Sequence, residues 1–184
     1  LCYGNYAGDV LQFDGGAARL EAAGIPVRTV RVTDDMYSAP VAEKQKRRGI
    51  AGDLAVIKVA GAAAAAGYDL EAVYGLALRA NEFTRTLGVA FTGCQLPGSD
   101  GPLFEVPVGR MAVGLGIHGE SGLAEVDVPT PEGLAELFVS TLLGEIPGGG
   151  DPAGRRVVVI VNGLGAFKFD EMYVVYGEVR KKLD

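Results

Sequence analysis

The single histidine of the chain, His118, stands in the stretch Gly114–Leu115–Gly116–Ile117–His118–Gly119–Glu120–Ser121–Gly122. An imidazole here ends an apolar segment, has glycines on both sides and is followed by a carboxylate. Glycine removes side-chain bulk and lets the backbone take φ > 0, so a ligand can come close to the ring. Glu120 is placed to orient one ring nitrogen and leave the other as acceptor or nucleophile. The plainer alternative is a histidine that only caps a turn; composition by itself leaves both open.

A second group of reactive residues is Asn5–Tyr6–Ala7–Gly8–Asp9, a strand-to-helix turn with an acid near the helix start. The helix dipole favours a carboxylate there, so Asp9 can be a plain N-cap. It can also be a general base for a substrate hydroxyl, because ligands of parallel sheets bind beyond the carboxyl ends of the strands. Thr33–Asp34–Asp35 ends the next strand at the same sheet edge, which makes these acids neighbours of Asp9. Neighbouring acids can bind a metal ion; the reading adopted assigns none. Val161–Asn162–Gly163–Leu164–Gly165 is a third candidate, an apolar segment entering a Gly turn before a helix. It is neither G-x-G-x-x-G nor a Walker sequence, so a tight turn without a ligand is its simpler explanation.

Elements that could position these residues follow from periodicity. Leu1–Asn5 reads as the end of a strand, and Val10, Leu11, Phe13, Ala17, Ala18 and Leu20 recur at helical spacing until Gly24 and Pro26. Val27–Val32 alternates as a strand, Thr33–Gly52 is a charged loop, and Asp53–Ala66 is an Ala-rich, buried helix ending at Gly67. Asp69 is placed to cap a helix with Leu70, Val73, Leu76, Ala77, Ala80 and Phe83 on one face. Near Leu87 the pattern changes to short apolar segments, Val89–Leu96, Leu103–Val108 and Met111–Ile117, separated by Pro and Gly. Thr130 with Pro131 opens a helix through Leu142. Gly148–Gly150 is a break, Arg156–Asn162 a fully apolar strand, and Lys168–Leu183 a helix with Met172, Val175, Tyr176 and Val179 inward. The expected fold class is α/β: a parallel-sheet α/β part (1–87), followed by an α+β part with a mixed sheet (88–184) that carries His118.

Bulk properties narrow the function classes. Over 184 residues, 48% are hydrophobic and 22% charged, as in soluble globular proteins, and the formal net charge is −6. The basic run Glu43–Arg48 is short and reads as a solvated loop, so no nucleic-acid partner is expected. No apolar run has membrane-spanning length, and no membrane partner is expected. Cys2 and Cys94 are far apart in sequence, neither a metal spacing nor a disulfide framework; they read as buried thiols of a reducing, cytoplasmic compartment.

In combination and in order, these segments resemble the substrate-binding K subunit, or K domain, of dihydroxyacetone kinases. Asn5–Tyr6–Ala7–Gly8–Asp9–Val10–Leu11 with Phe13 is similar to that family's N-Y-T-G-D-x-x-N-F turn, and Arg47–Gly52 to its R-R-G-hydrophobic-A-G loop. Gly61–Ala64 lies in the matching Ala-rich helix, Gly114–Gly122 is close to G-h-G-I-H-G-E-P-G, and Val161–Gly165 with Glu171–Tyr176 matches the V-N-x-L-G turn and its helix. The resemblance implies a kinase of short ketoses (glycerone type). In it His118 adds to the ketone carbonyl as a covalent hemiaminal, which selects ketones over polyols, and Asp9 assists phosphorylation of the substrate hydroxyl. An ordinary imidazole, with a pKa of about 6.5, is mostly neutral at physiological pH, as such an addition requires. Asn5, Gly8, Gly116 and Gly119 would line the substrate. No cofactor is implied on this chain; ATP/ADP and Mg would sit on a nucleotide-binding L subunit or domain, and a homodimer is implied.

Departures from the family pattern also carry expectations. Gly4 stands where the family often has Lys, and Ser121 replaces the Pro of the histidine motif. The segment G-G-G-S-G-H-E-P, with a second catalytic histidine, would lie before Leu1, and the usual end of the K module would follow Asp184. The expectation is an excised piece of a longer enzyme, with a related ketose such as erythrulose as substrate. The rival expectation from another class is a non-catalytic paralogue that senses a ketose and regulates a partner.

Overall fold

The structure is a computed structural model that describes residues 1–184 except Cys94, Ser121, Gly165 and Ala166. It divides into two compact units, Leu1–Thr86 and Leu87–Asp184.

In the first unit, β1 (Cys2–Gly4) leads into α1 (Ala7–Ala22), and β2 (Val30–Val32) returns parallel to β1 with Gly4 opposite Val32. A 3-10 helix (Val41–Lys46) lies within the expected loop, followed by α2 (Gly52–Ala65) and α3 (Leu70–Glu82). The parallel strand–helix–strand order agrees with the α/β expectation. Val30, Val32, Val56 and Ala77 form the core, with Cys2, Ala60, Tyr74 and Ala80 packed against it. Asp69 caps α3, accepting from Ala72 N at 2.8 Å. Two helices are wetter than their composition suggests. None of the residues of α1 is buried, and Leu11 is 71% exposed; Phe13 instead stacks on Tyr3 with ring centroids 4.4 Å apart. In α2 only Gly52, Val56 and Ala63 are buried, while Leu54 and Ile57 are exposed. An Ala-rich sequence is a strong helix former without being a buried one, because propensity and burial are separate properties.

In the second unit, β3 (Val89–Ala90), β4 (Arg110–Val113) and β5 (Ala124–Asp127) form an antiparallel sheet with β4 central. α4 (Pro131–Leu143) and α5 (Phe169–Leu183) pack on each other and bury Leu134, Ala135, Val139, Val175 and Val179. Thr130 caps α4, accepting from Gly133 N at 3.2 Å. Several expected elements differ. Leu103–Val108 forms no strand; Pro107 within it has no N–H for a ladder. Met111–Ile117 is shortened to β4 because Gly114 turns the chain at φ +73. β5, short and exposed throughout, was not foreseen. Arg156–Asn162 pairs with no strand among the described residues, and Val158 stands 91% exposed; its apolarity specifies burial but supplies no ladder partner. In α5, Val175 and Val179 point inward as expected, whereas Tyr176 is exposed. Cys2 is a free, half-buried thiol, raised from its ordinary pKa chiefly by burial, and Cys94 lies outside the described residues. Among the described residues no helix is long and apolar enough to cross a membrane.

Candidate functional site

Two turns, one in each unit, carry the residues singled out by the sequence. In the first unit β1 ends at Gly4, and Tyr6 is the extended N-cap residue of α1 (φ −119). Asp9 therefore occupies the first turn of the helix rather than its cap position, and it is exposed to solvent. Its carboxylate is favoured there by the helix dipole, and no described residue hydrogen-bonds it. Asn5 is held at the carboxyl end of β1 from both sides. Its N–H donates to Val32 O (3.1 Å), and Nδ2 donates to Gln45 O (3.2 Å) and Arg47 O (2.9 Å). The Asn5 amide thereby ties the Asp9 turn to the Arg47–Gly52 loop. Gly8 is exposed, with open space around its α-carbon.

The acids that follow β2 are buried and fully engaged. Asp34 accepts from Ile50 N and Gly52 N at 2.9 Å each and from the Thr86 hydroxyl at 2.6 Å. Asp35 pairs with Arg48 at 2.8 Å; burial pushes its carboxyl up, and Arg48 partly offsets this. These bonds fold the loop back over the sheet edge. Arg47, 1% exposed, supports it by donating Nε to Ala39 O at 2.8 Å.

The consequence is the placement of Asp53, which sequence reasoning treated only as a helix start. It is the second residue of α2, half-buried against Gly4 and Gly49. A Cβ added at Gly49 would lie 2.5 Å from Gly4 Cα and 2.7 Å from Asp53 Oδ1, and one at Gly4 would lie 3.0 Å from Asp53 Oδ2. Gly4 thus leaves room beside this carboxyl that a Cβ would narrow. Oδ1 is shielded from solvent and has no hydrogen-bond partner among the described residues. Desolvation, then the charges of Asp34 and Asp9, push Asp53 up to about 6. The signal in the sequence was an acid directly after a glycine-rich loop, on the edge that also carries Asp9. Among the described residues, no group of three or more His, Cys, Asp or Glu side chains is arranged to hold a metal ion.

In the second unit β4 leads through Gly114 into a tight loop closed by Gly116 N to Glu120 O and Gly119 N to Gly116 O, at 2.9 and 3.0 Å. Gly119 has φ +88, a conformation that favours glycine, and a Cβ on it would also lie close to the Phe104 ring, 3.1 Å from Cδ1. Gly116 is buried, and the His118 side chain is 61% exposed. Glu120 grips His118 with both oxygens, Oε1 on Nδ1 at 2.9 Å and Oε2 on the backbone N–H at 3.0 Å. Burial raises the Glu120 carboxyl, but the hydrogen bonds from the His118 ring and backbone outweigh it, and its pKa lies below the ordinary value. An ionised Glu120 can only accept a hydrogen bond, so Nδ1 is the protonated ring nitrogen and the lone pair lies on Nε2. Ser121 of this motif lies outside the described residues.

The third candidate, Val161–Leu164, is a self-contained turn. Leu164 has φ +48 and donates its N–H to Asn162 Oδ1 at 3.0 Å, while Gly163 packs closely on Phe167 and Met172. Gly165 lies outside the described residues. Asn5, Gly8 and Asp9 therefore share one turn, and Gly116, His118 and Gly119 share another.

The pattern of a parallel β–α turn bearing an acid, and a glycine-bound histidine loop on an antiparallel sheet, defines a class. The Dak1 domain profile matches residues 1–184, and the chain belongs to that family. It is 57% identical over 184 residues to an L-erythrulose kinase of Pectobacterium atrosepticum, covering all of this chain and 31% of that protein. It is 44% identical over 177 residues to the dihydroxyacetone-binding subunit of PTS-dependent dihydroxyacetone kinase 2 of Listeria innocua, covering 96% of this chain and 52% of that subunit. Among solved structures it resembles a dihydroxyacetone kinase operon co-activator, with a TM-score of 0.87 and 27% identity over 99% of this chain and 55% of the other. The chain thus spans about a third to a half of the length of these relatives.

Proposed function

We propose that this chain is the ketose-holding part of a kinase for short ketoses, and that His118 holds the substrate as a covalent hemiaminal. The observation that carries this reading is the double grip of Glu120 on His118. With Nδ1–H donated to Glu120, the Nε2 lone pair adds to the ketone carbon. The C=O π pair moves onto oxygen, which takes a proton from water, and the Nδ1 proton passes to Glu120 and on to solvent. The product is a neutral hemiaminal, and a polyol without a carbonyl has nothing to offer Nε2. Asp9 then accepts the proton of the substrate hydroxyl as that oxygen attacks the phosphoryl donor.

The names of the relatives, an erythrulose kinase and a dihydroxyacetone-binding subunit, support the substrate class. In this reading the nucleotide and Mg are held by an L-type subunit or domain and supply the phosphoryl group. The proposed assembly is a cytoplasmic homodimer that meets this partner. The second reading, a ketose sensor, draws on the likeness to the operon co-activator; it separates from the first by turnover in the presence of the nucleotide partner.

The test is binding of dihydroxyacetone labelled with 13C at C2 to the full-length protein, followed by NMR. The resonance should move from the carbonyl to the tetrahedral region, and His118→Ala should abolish the move. Glu120→Gln, which keeps the shape but not the charge, should weaken adduct formation by roughly 10-fold or more, the worth of a charge-assisted hydrogen bond. Saturable ketose binding with an unshifted carbonyl would refute the hemiaminal.

A further inference from the structure

At the carboxyl end of β2 the first unit has a pocket of about 340 Å³ that the proposed chemistry does not use. Arg31 of β2 and Thr33 just after it, Lys44 of the 3-10 helix, Asn81 and Glu82 of α3 and Arg85 beyond that helix line it. Gln45 completes the wall, so every lining residue is polar or charged. The volume falls in the range of small-molecule sites. Three of the lining residues are cations and one is an acid, a formal +2 in a chain whose formal net charge is −6. Asp14 of α1, which holds Arg31 Nη2 at 2.7 Å, reduces this balance without reversing it. The side chains are held in place but not saturated. Asn81 Oδ1 accepts from Thr33 N at 2.9 Å, and Asn81 Nδ2 donates to Thr33 Oγ1 at 3.1 Å. The Thr33 hydroxyl therefore acts as acceptor, and its own proton is given to no described residue. Arg31 donates Nε to the Tyr3 hydroxyl and Nη2 to Asp14, while its Nη1 bonds to no described residue. Lys44 Nζ meets the two oxygens of Glu82 at 2.6 and 2.7 Å, which leaves one of its three protons unspent. The Gln45 side-chain amide is likewise unspent among the described residues. Both ion pairs are about half exposed, so each contributes about 1 kcal/mol or less and can yield to a better partner. Arg85 Nη1 donates to Glu82 O and Thr84 O at 2.8 Å each, and so covers the negative end of α3 that would otherwise repel an anion.

We propose that this pocket binds a phosphoryl dianion, either free phosphate or the phosphate group of a small monoester. The match is one of charge and of geometry. Guanidinium, ammonium, hydroxyl and amide donors come from the end of β2, the 3-10 helix and the end of α3. Donors converging from separate segments suit a tetrahedral anion with several acceptor oxygens. A carboxylate, planar and singly charged, would use fewer of them, and a neutral sugar would leave the positive charge unanswered. None of the lining residues is among those assigned to the ketose, so the proposal stands independently of the function proposed above. Its one covalent neighbour to that function is Gln45, whose backbone oxygen accepts from Asn5 Nδ2 at 3.2 Å.

The experiment is calorimetric titration of the full-length protein with sodium phosphate, glycerol 3-phosphate and glycerol, in excess ADP and Mg so that any nucleotide site is filled. Phosphate and glycerol 3-phosphate should bind saturably, with Kd below roughly 10 mM, and glycerol should not. Arg31→Gln and Lys44→Gln should each weaken the binding of both anions by roughly 10-fold or more, the worth of a charge-assisted hydrogen bond. Lys44→Gln leaves Tyr3 and Asp14 untouched and serves as the second variant should Arg31→Gln disturb the strand. Tighter binding of glycerol 3-phosphate than of phosphate assigns the pocket to a monoester, and equal affinities assign it to free phosphate. Wild type without saturable anion binding, an affinity that either variant leaves unchanged, or glycerol bound as well as its phosphate would overturn the proposal.

Discussion

Replacing Asp53 by asparagine should stabilise the protein at neutral and alkaline pH. Burial and the charges of Asp34 and Asp9 raise this carboxyl from an ordinary 3.8 to about 6. A folded-state pKa above the unfolded one means that the native state binds the proton more tightly. The stability contributed by this group is complete below about pH 4 and is lost as pH rises through 6. Two pKa units correspond to at most about 3 kcal/mol, and solvent access to the half-buried group brings the expected gain to about 1–2 kcal/mol at pH 8. Asparagine, which never ionises, removes the penalty, and roughly half of the gain should remain at pH 5. The titratable groups electrostatically linked to the carboxyl are Asp34 after β2, Asp9 of α1 and the Cys2 thiol of β1. Urea unfolding of wild type and Asp53→Asn at pH 4, 5, 6.5 and 8 measures the difference directly, and at pH 8 the melting temperature should rise by about 2–4 °C per kcal/mol. A gain that is the same at every pH would mean that the effect is steric. A loss at pH 8 would mean that the ionised carboxyl makes a favourable contact in the folded state, and the account of Asp53 as an unsatisfied acid would fail.

Two further substitutions test the same edge of the first unit. Asp9→Asn in the full-length enzyme should leave ketose binding largely intact and lower turnover by roughly 100-fold or more, measured at saturating ketose with the nucleotide-binding partner in excess; near-wild-type turnover would remove Asp9 from the chemistry. Gly49→Ala would place a methyl group 2.5 Å from Gly4 Cα and 2.8 Å from Val32 O, and the backbone shift this forces should cost about 3 kcal/mol or more, seen as an early unfolding transition by circular dichroism.

Much of the fold was legible because it rests on local signals. Asp69 and Thr130 were identifiable as caps from their residue type and position, and both make the expected hydrogen bond. The parallel β1–β2 pair followed from the strand–helix–strand order. Pairing and burial were harder to read because they depend on residues distant in sequence. The apolar run Arg156–Asn162 carries every mark of an inner strand, yet among the described residues it has no ladder partner. The exposed β5 has no apolar run to announce it and exists by pairing Ala124–Asp127 with β4. Likewise the face of α1 is apolar by spacing, but of the residues on it Phe13 finds a stacking partner in Tyr3 while Leu11 stands in solvent.

The candidate site divides along the same line. His118 and Glu120 are two residues apart, so the sequence alone could anticipate their pairing, and the geometry adds that the carboxylate binds the backbone N–H as well as the ring. Asp53 is 44 positions from Asp9, and no motif links them. The seat of Asp53 arises because Asp34 draws the Arg47–Gly52 loop over the sheet edge through Ile50 N and Gly52 N. It also needs the Gly4–Gly49 contact, which gives the carboxyl its seat. A Cβ at position 4 would lie 3.0 Å from Asp53 Oδ2 and 3.2 Å from Gly49 O, so any side chain there requires these neighbours to give way slightly, and glycine leaves the packing undisturbed.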